Sequence, residues 1–390
     1  MLRDRPYFPA ILIAAILAAQ MGAVQVWRLA SDTNLSYVTP YFFGLGYHDF
    51  YEASQTLLAG KSPYNVGRYV TPPIPAILNA PLTVLPFERA VWVVAALVLV
   101  AMFLAYCLSA ATFFRVGGDE ASWLLVLGVI VVLLSYPFYF LFERGNIDGF
   151  VLAAMMLGVW WSRRRPIVAG LCVALAITTK VYPLLLLAPL ITHRRYKVLV
   201  VTFVALVVAL AVAPRQWLEF VVRTLQRAGL FDMSENGSIL CTFTFIGDGV
   251  RRLGLTLWPR TWRSLGVLAY VTLFMAASYA DHLKRDRRDE TDETASTLLY
   301  FPFMVAMPQQ AYHYSLVVLI PLIPAVCYYW HRQRAPRSRR ILLLIAVGIA
   351  LSQWQAVALS TLVGNIVPHV IPGAGLLLVL LGVTWYKVRC

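Results

Sequence analysis

Long apolar runs alternate along the chain with short basic clusters. The first run, from Phe8 to Trp27, is too long for the apolar centre of a cleavable signal peptide and predicts an uncleaved membrane helix. The clusters are Arg3/Arg5, Arg115, Arg163–Arg165, Arg194/Arg195/Lys197, Lys284–Arg288, Arg332–Arg340 and Lys387/Arg389. The positive-inside bias places all of them in the cytoplasm. The apolar sequence between each consecutive pair must then go out and come back. The pattern therefore predicts six hairpins, about twelve hydrophobic helical segments, with both termini inside.

The stretch between Arg165 and Arg194 tests this reading. It holds 28 residues, broken by Lys180 and Pro183. Two segments of about a dozen residues reach only ~18 Å each at 1.5 Å per residue, short of the ~30 Å hydrocarbon core. Lys180 at the tip would then stop below the outer surface, in a cavity and not in lipid. The alternative is one tilted helix with Lys180 snorkelling to the interface.

The hairpins leave six outward tips. The first covers 30–89, the fourth and next largest 214–263, and residues 1–390 read as a single membrane domain. Within the fourth tip an amphipathic piece is expected over Gln216–Leu230. The acidic and basic alternation of Asp281–Glu293 reads as a solvated cytoplasmic loop.

Composition supports a polytopic protein, with 60% hydrophobic residues and only 13% charged. The net charge of +14 comes from 33 basic against 19 acidic residues. Short basic runs between apolar spans argue against nucleic acid. Thirteen basic residues fall on the outer tips, where few are expected, and this excess points to a phosphate ligand. Lipid-headgroup anchoring accounts for others, such as Arg28 and Arg89. The five cysteines are scattered, without disulfide or metal spacing.

The candidate chemistry gathers at the tips. Asp49, beside a phosphate-binding surface, suits a general base that takes a hydroxyl proton. It also reads as the cap of a helix over 50–59, with Glu52 as capping-box partner and Gly60 as its stop. His313 is the candidate partner of Asp49, and His48 competes for that role. Arg144, Lys180, Arg215 and Arg251 suit a leaving phosphate. Tyr64, Tyr312 and Trp217 are placed to stack on sugars. Walker, dinucleotide, zinc and nucleophile-elbow motifs are absent from the sequence.

Several motifs together resemble glycosyltransferase family 87, polyprenol-phosphate-mannose-dependent α-mannosyltransferases of the C-type membrane superfamily. They are Asp49-Phe50, Ala53, Leu57-Leu58, Gly60 and Pro63-Tyr64; Thr71-Pro72-Pro73, Pro81-Leu82 and Leu85-Pro86; Gly145-Asn146-Ile147-Asp148; Ala169-Gly170 with Lys180-Val181-Tyr182-Pro183; Asn236-Gly237-Ser238; and Pro308 with His313. The resemblance spans roughly 45–325. It implies an all-α polytopic membrane protein of the C-type glycosyltransferase fold with an outward-facing cavity. It also implies inverting transfer of a sugar, mannose before arabinofuranose or galactose, from a polyprenyl-monophosphate donor to a glycolipid or envelope glycan. Asp49 would be the base and His313 its partner. His48, Tyr64, Asn146, Asp148, Asn236, Gln310 and Tyr312 would bind sugar or acceptor. No metal or other cofactor is expected. The active site would face the extracytoplasmic side of the cell membrane. The alternative is a secondary transporter or lipid-linked sugar flippase, because short paired segments with intramembrane charge also suit that class.

Overall fold

The structure is a computed structural model that describes residues 5–31, 44–67, 69–113, 119–227, 243–244, 247, 259–285, 289–306, 313–333, 335–353 and 367–389. Among these residues the architecture is all helical. In chain order the helices are α1 (Phe8–Ser31), α2 (Leu45–Leu58), α3 (Pro73–Asn79), α4 (Phe87–Phe113), α5 (Asp119–Leu134), α6 (Tyr136–Arg144), α7 (Asp148–Trp161), α8 (Pro166–Thr179), α9 (Leu187–Thr192), α10 (Tyr196–Val212), α11 (Pro214–Arg227), α12 (Pro259–Lys284), α13 (Glu290–Leu298), α14 (Phe301–Ala306), α15 (Leu322–Arg332), α16 (Pro336–Ser352) and α17 (Val367–Arg389). Short 3-10 segments occur at Pro63–Asn65, Ala80–Val84, Tyr182–Leu186 and His313–Leu319.

Among the described residues, four helical stretches are long and apolar enough to cross a membrane: Phe87–Phe113, Thr261–Lys284, Ser315–Arg332 and Ile371–Arg389. A fifth is counted if α10 and α11, bent by 97° at Ala213, form one broken span. Six further apolar helices are shorter. Among the described residues, length and composition thus support four or five spans.

The contacts divide the chain into two units. One contains residues 37–108 and 140–231. Here α7, α8 and α10 pack side by side. A Cβ added at Gly170, near the start of α8, would lie 2.9 Å from the carbonyl oxygen of Val198 and 2.7 Å from Val201, near the start of α10. Thr202 donates a hydrogen bond to the Gly170 carbonyl at 3.1 Å. The basic runs that precede α8 and α10 therefore sit at one end. A single tilted helix between them would have put them at opposite ends. The chain instead turns back at Lys180 through Tyr182–Leu186 and α9.

The other unit contains residues 1–36, 109–139 and 232–390. Its tightest pair is α16 with α17, where Gly348 and Gly375 bring the backbones together: a Cβ on Gly348 would fall 2.8 Å from the Gly375 carbonyl oxygen. Three basic clusters meet at one end of this unit. Lys284 Nζ donates to the Lys387 carbonyl at 2.7 Å, and Arg332 Nη1 lies 2.7 Å from Asp292 and 3.5 Å from Asp289.

The expectation of a solvated loop over Asp281–Glu293 is corrected here. Asp281 is fully buried on α12. It accepts from Ser296 and from Tyr300, and pairs with Lys387 Nζ at 3.3 Å. Lys387 is buried too, with its ammonium 3.7 Å from the centre of the Tyr300 ring. Two buried charges persist there because each satisfies the other and both are hydrogen-bonded. Beyond Asp289, which caps α13 by accepting from the Asp292 N–H at 2.8 Å, the chain is helical.

Candidate functional site

Asp49 stands in the second turn of α2, not at its cap. The helix begins at Leu45, and Gly44 occupies the cap position with φ 76°. A Cβ on Gly44 would also lie 2.7 Å from Val91 of α4, so glycine is required for both conformation and space. The capping-box expectation for Asp49 and Glu52 is therefore overturned. Glu52 faces His48 across one helical turn, Oε2 to Nδ1 at 3.6 Å, and both are about half exposed. The stop at Gly60 is as expected. With φ 74°, it donates to the Leu57 carbonyl while Lys61 donates to Thr56, the bond pair of a Schellman ending.

One face of α2 is fastened to α3 and the 3-10 segment after it. The Tyr47 hydroxyl donates to Asn79 at 3.0 Å, Asn79 donates to Ser54 at 3.0 Å, and the Tyr51 hydroxyl donates to the Leu85 carbonyl at 2.6 Å. Burial pushes the Tyr47 phenol up to about 12, aided by Tyr51 and opposed by the Asn79 bond. The half-buried Asp49 belongs to the neighbouring stripe, three residues after Gly46 and four before the fully buried Ala53.

That stripe meets the turn between α6 and α7. A Cβ on Gly46 would lie 2.8 Å from the Arg144 carbonyl oxygen, and one on Gly145 would lie 2.8 Å from Tyr47 Cβ. Gly145 has φ 62°, which reverses the chain after Arg144. The half-buried Arg144 ends α6. Asn146 is buried, and its Oδ1 accepts from the Asp148 N–H at 3.3 Å, an Asx-type turn that starts α7.

Asp148 is fully buried and links this turn to the end of α8. Its Oδ2 lies 3.4 Å from Lys180 Nζ without hydrogen-bond alignment, and its Oδ1 accepts from the Tyr182 hydroxyl at 2.8 Å. Lys180 terminates α8 with its side chain 17% exposed. The charge at the tip of the short hairpin thus meets a carboxylate. Asp148 therefore meets Lys180 and Tyr182, and Asn146 starts α7, at the two positions expected to meet a sugar or acceptor. Tyr182 was not among the expected site residues. Its spacing of two from Lys180, at the same break in α8, was the available signal.

A second polar group forms where the chain after α2 meets α11. The Ser62 hydroxyl donates to Glu219, and Arg215 Nε donates to the same carboxylate at 3.0 Å. Arg215 and Arg223 line one cleft with Lys61 and Ser62. Tyr64 is buried beneath it, with its hydroxyl donating to the Thr71 carbonyl at 2.9 Å and its ring against Tyr69 and Phe220. Burial first, then Tyr69 and Glu219, holds its phenol well above the usual range, while Arg223 opposes this. A ring packed in this way offers no face for stacking, which corrects the sugar-stacking expectation for Tyr64. The Trp217 indole likewise donates to the Ala209 carbonyl and folds α11 back on α10.

Asn236, Arg251, Gln310 and Tyr312 lie outside the described residues. His313 opens the 3-10 segment His313–Leu319 in the other unit, and its side chain is not described.

The model of glycosyltransferase family 87 matches residues 69–308, more than half of the chain. The chain belongs to glycosyltransferase family 87. A search of curated proteins found no match. Membership makes this family 87 protein a membrane glycosyltransferase and sets the transporter reading aside. The match covers the Arg144–Asp148 turn and the Lys180 break, but begins after Asp49 and ends before His313.

Proposed function

We propose that this glycosyltransferase moves a sugar, mannose in the simplest case, from a polyprenyl monophosphate to a hydroxyl of a glycolipid or envelope glycan, with inversion. The observation that carries the proposal is the packing of the Asp49 helix on the Arg144–Asp148 turn, which leads directly to Lys180. Residues far apart in sequence thereby bring Asp49, Arg144 and the Asp148-paired Lys180 onto neighbouring elements.

Asp49 takes the proton of the acceptor hydroxyl. The freed oxygen attacks the anomeric carbon, the bond from that carbon to the phosphate oxygen breaks, and the polyprenyl phosphate leaves with the electron pair. Lys180 and Arg144 stabilise the charge that grows on it. Asp148 and Tyr182 hold Lys180 in place. Phosphate contacts by Arg251, and sugar or acceptor contacts by His48, Asn236, Gln310 and Tyr312, belong to the same proposal. The apolar elements pair into six hairpins, about twelve segments, around a cavity that opens outward from the cell membrane. A monophosphate donor carries little charge, and the Tyr47–Phe50 stretch has one acidic residue, so transfer proceeds without metal.

Purified protein assayed with polyprenyl-phosphate mannose and a glycolipid acceptor tests this. Asp49→Asn should lower transfer by about 10²–10⁴ while donor binding is kept, and activity should survive a strong chelator. Near-normal transfer by Asp49→Asn would remove the base. Loss with chelator and recovery with magnesium would point to a metal-bound donor.

A further inference from the structure

The cleft between the turn after α2 and helix α11 has a composition of its own. It is an open cleft of about 630 Å³. Lys61, Arg215 and Arg223 bring three positive charges to it, and Glu219 one negative. Glu219 already accepts from Ser62 and from Arg215. Among the described residues the exposed Lys61 ammonium has no partner. Arg223 lies 5.9 Å from the Tyr64 ring, a weak contact that leaves its donors available. The cleft is thus biased toward an anion.

One wall is apolar. Leu218 and Val222 line the same cleft, and Leu218 is 66% exposed. The apolar surface continues along α11 through Val221 and Leu225, and onto the exposed Val207, Leu210 and Val212 of α10. Helix α11 leaves α10 at 97°. An amphipathic helix turned across the end of an apolar one lies in the membrane interface, with its apolar side toward acyl chains.

We infer that this cleft seats the phosphate headgroup of a membrane lipid whose hydrocarbon chain runs along the exposed apolar surface of α11 and α10. Charge alone would suit inorganic phosphate. The adjoining apolar wall selects an amphiphile, because a lipid chain can lie along the Leu and Val side chains while its phosphate stays in the cleft. Two lipids carry the required chemistry: a polyprenyl monophosphate and an anionic phospholipid. The first rests on the proposed function, whereas the second does not.

The test offers decaprenyl monophosphate, phosphatidylglycerol or inorganic phosphate to protein held in phosphatidylcholine nanodiscs, and counts bound molecules by native mass spectrometry. Lys61→Gln/Arg215→Gln/Arg223→Gln should weaken retention of at least one lipid phosphate by about tenfold or more. Glu219→Gln removes the single negative charge and should keep or strengthen it. Loss confined to decaprenyl phosphate assigns the seat to the donor lipid, and loss confined to phosphatidylglycerol assigns it to a resident phospholipid. Unchanged retention in the triple variant overturns the inference. So does equal weakening by Glu219→Gln, or inorganic phosphate binding as tightly as either lipid. Absent transferase activity with intact lipid retention would count against the proposed reaction alone.

Discussion

Lys180 and Asp148 depend on each other. A fully buried carboxylate 3.4 Å from an ammonium is tolerable because of that ammonium and the Tyr182 hydroxyl. Lys180→Met leaves Asp148 charged and buried, at a cost of about 3–5 kcal/mol. Thermal unfolding in detergent should show a clear loss of stability. Asp148→Asn combined with Lys180→Met removes both charges and should return the melting temperature close to that of the parent. Under the proposed reaction transfer should stay low in the double variant, because the leaving phosphate would still lack its cation. A single variant that melts like the parent would show that the pair contributes nothing. A double variant with full activity would show that Lys180 has no part in transfer. Lys180 was legible as an intramembrane charge in search of a counter-ion, but its partner was not. Asp148 lies 32 residues earlier in the chain, and helix packing alone joins them.

The α6–α7 turn depends on glycine in two ways. Gly145 takes a backbone angle that other residues reach at a cost of about 1–2 kcal/mol. A Cβ there would also strike Tyr47 on α2 at 2.8 Å. Gly145→Ala should therefore push α2 away from Arg144. We expect a lower melting temperature and a loss of transfer larger than the change in stability explains, since the Asp49 helix shifts against the Lys180 side. Gly60→Ala is the control. Its φ is also positive, but a Cβ there would meet open space. It should cost stability comparable to the backbone strain while transfer follows the folded fraction. Equal effects of both substitutions on activity per folded molecule would mean that the α2 contact does not matter. The amphipathic α11 and the Gly60 stop were readable locally, because periodicity and glycine punctuation act over a few residues. The start of α2 was not: Gly44, not Asp49, ends it, and the reason is the close approach of Val91 from α4.

Basic clusters converge within each unit. In one, the runs before α8 and α10 share an end; in the other, Lys284, Arg332 and Lys387 do. Such grouping is what a single cytoplasmic face requires. It can be checked in intact cells with a membrane-impermeant thiol reagent, in a background lacking the five native cysteines. A cysteine at the exposed Lys61 should label and one at the exposed Arg337 should not. Labelling at Arg337 with protection at Lys61 would invert the topology and place the Asp49 helix on the cytoplasmic side.

Sequence by itself determined the class of molecule, because apolar length and charge asymmetry report directly on the membrane as solvent. It favoured a turn-back at Lys180 between Arg165 and Arg194, and the packing of the start of α8 on the start of α10 decided this against a single tilted helix. The motifs carried family membership. Tertiary structure decided the partnerships of charge. Asp281 read as part of a solvated loop and Lys387 as part of a cytoplasmic basic cluster, and the two are a buried pair. Asp148 read as a sugar ligand and is the counter-ion of Lys180. Tyr64 read as a stacking platform and is packed against Tyr69 and Phe220. A side chain's role in each case follows from the dielectric and the neighbours around it, and those are set by helices that meet only after folding.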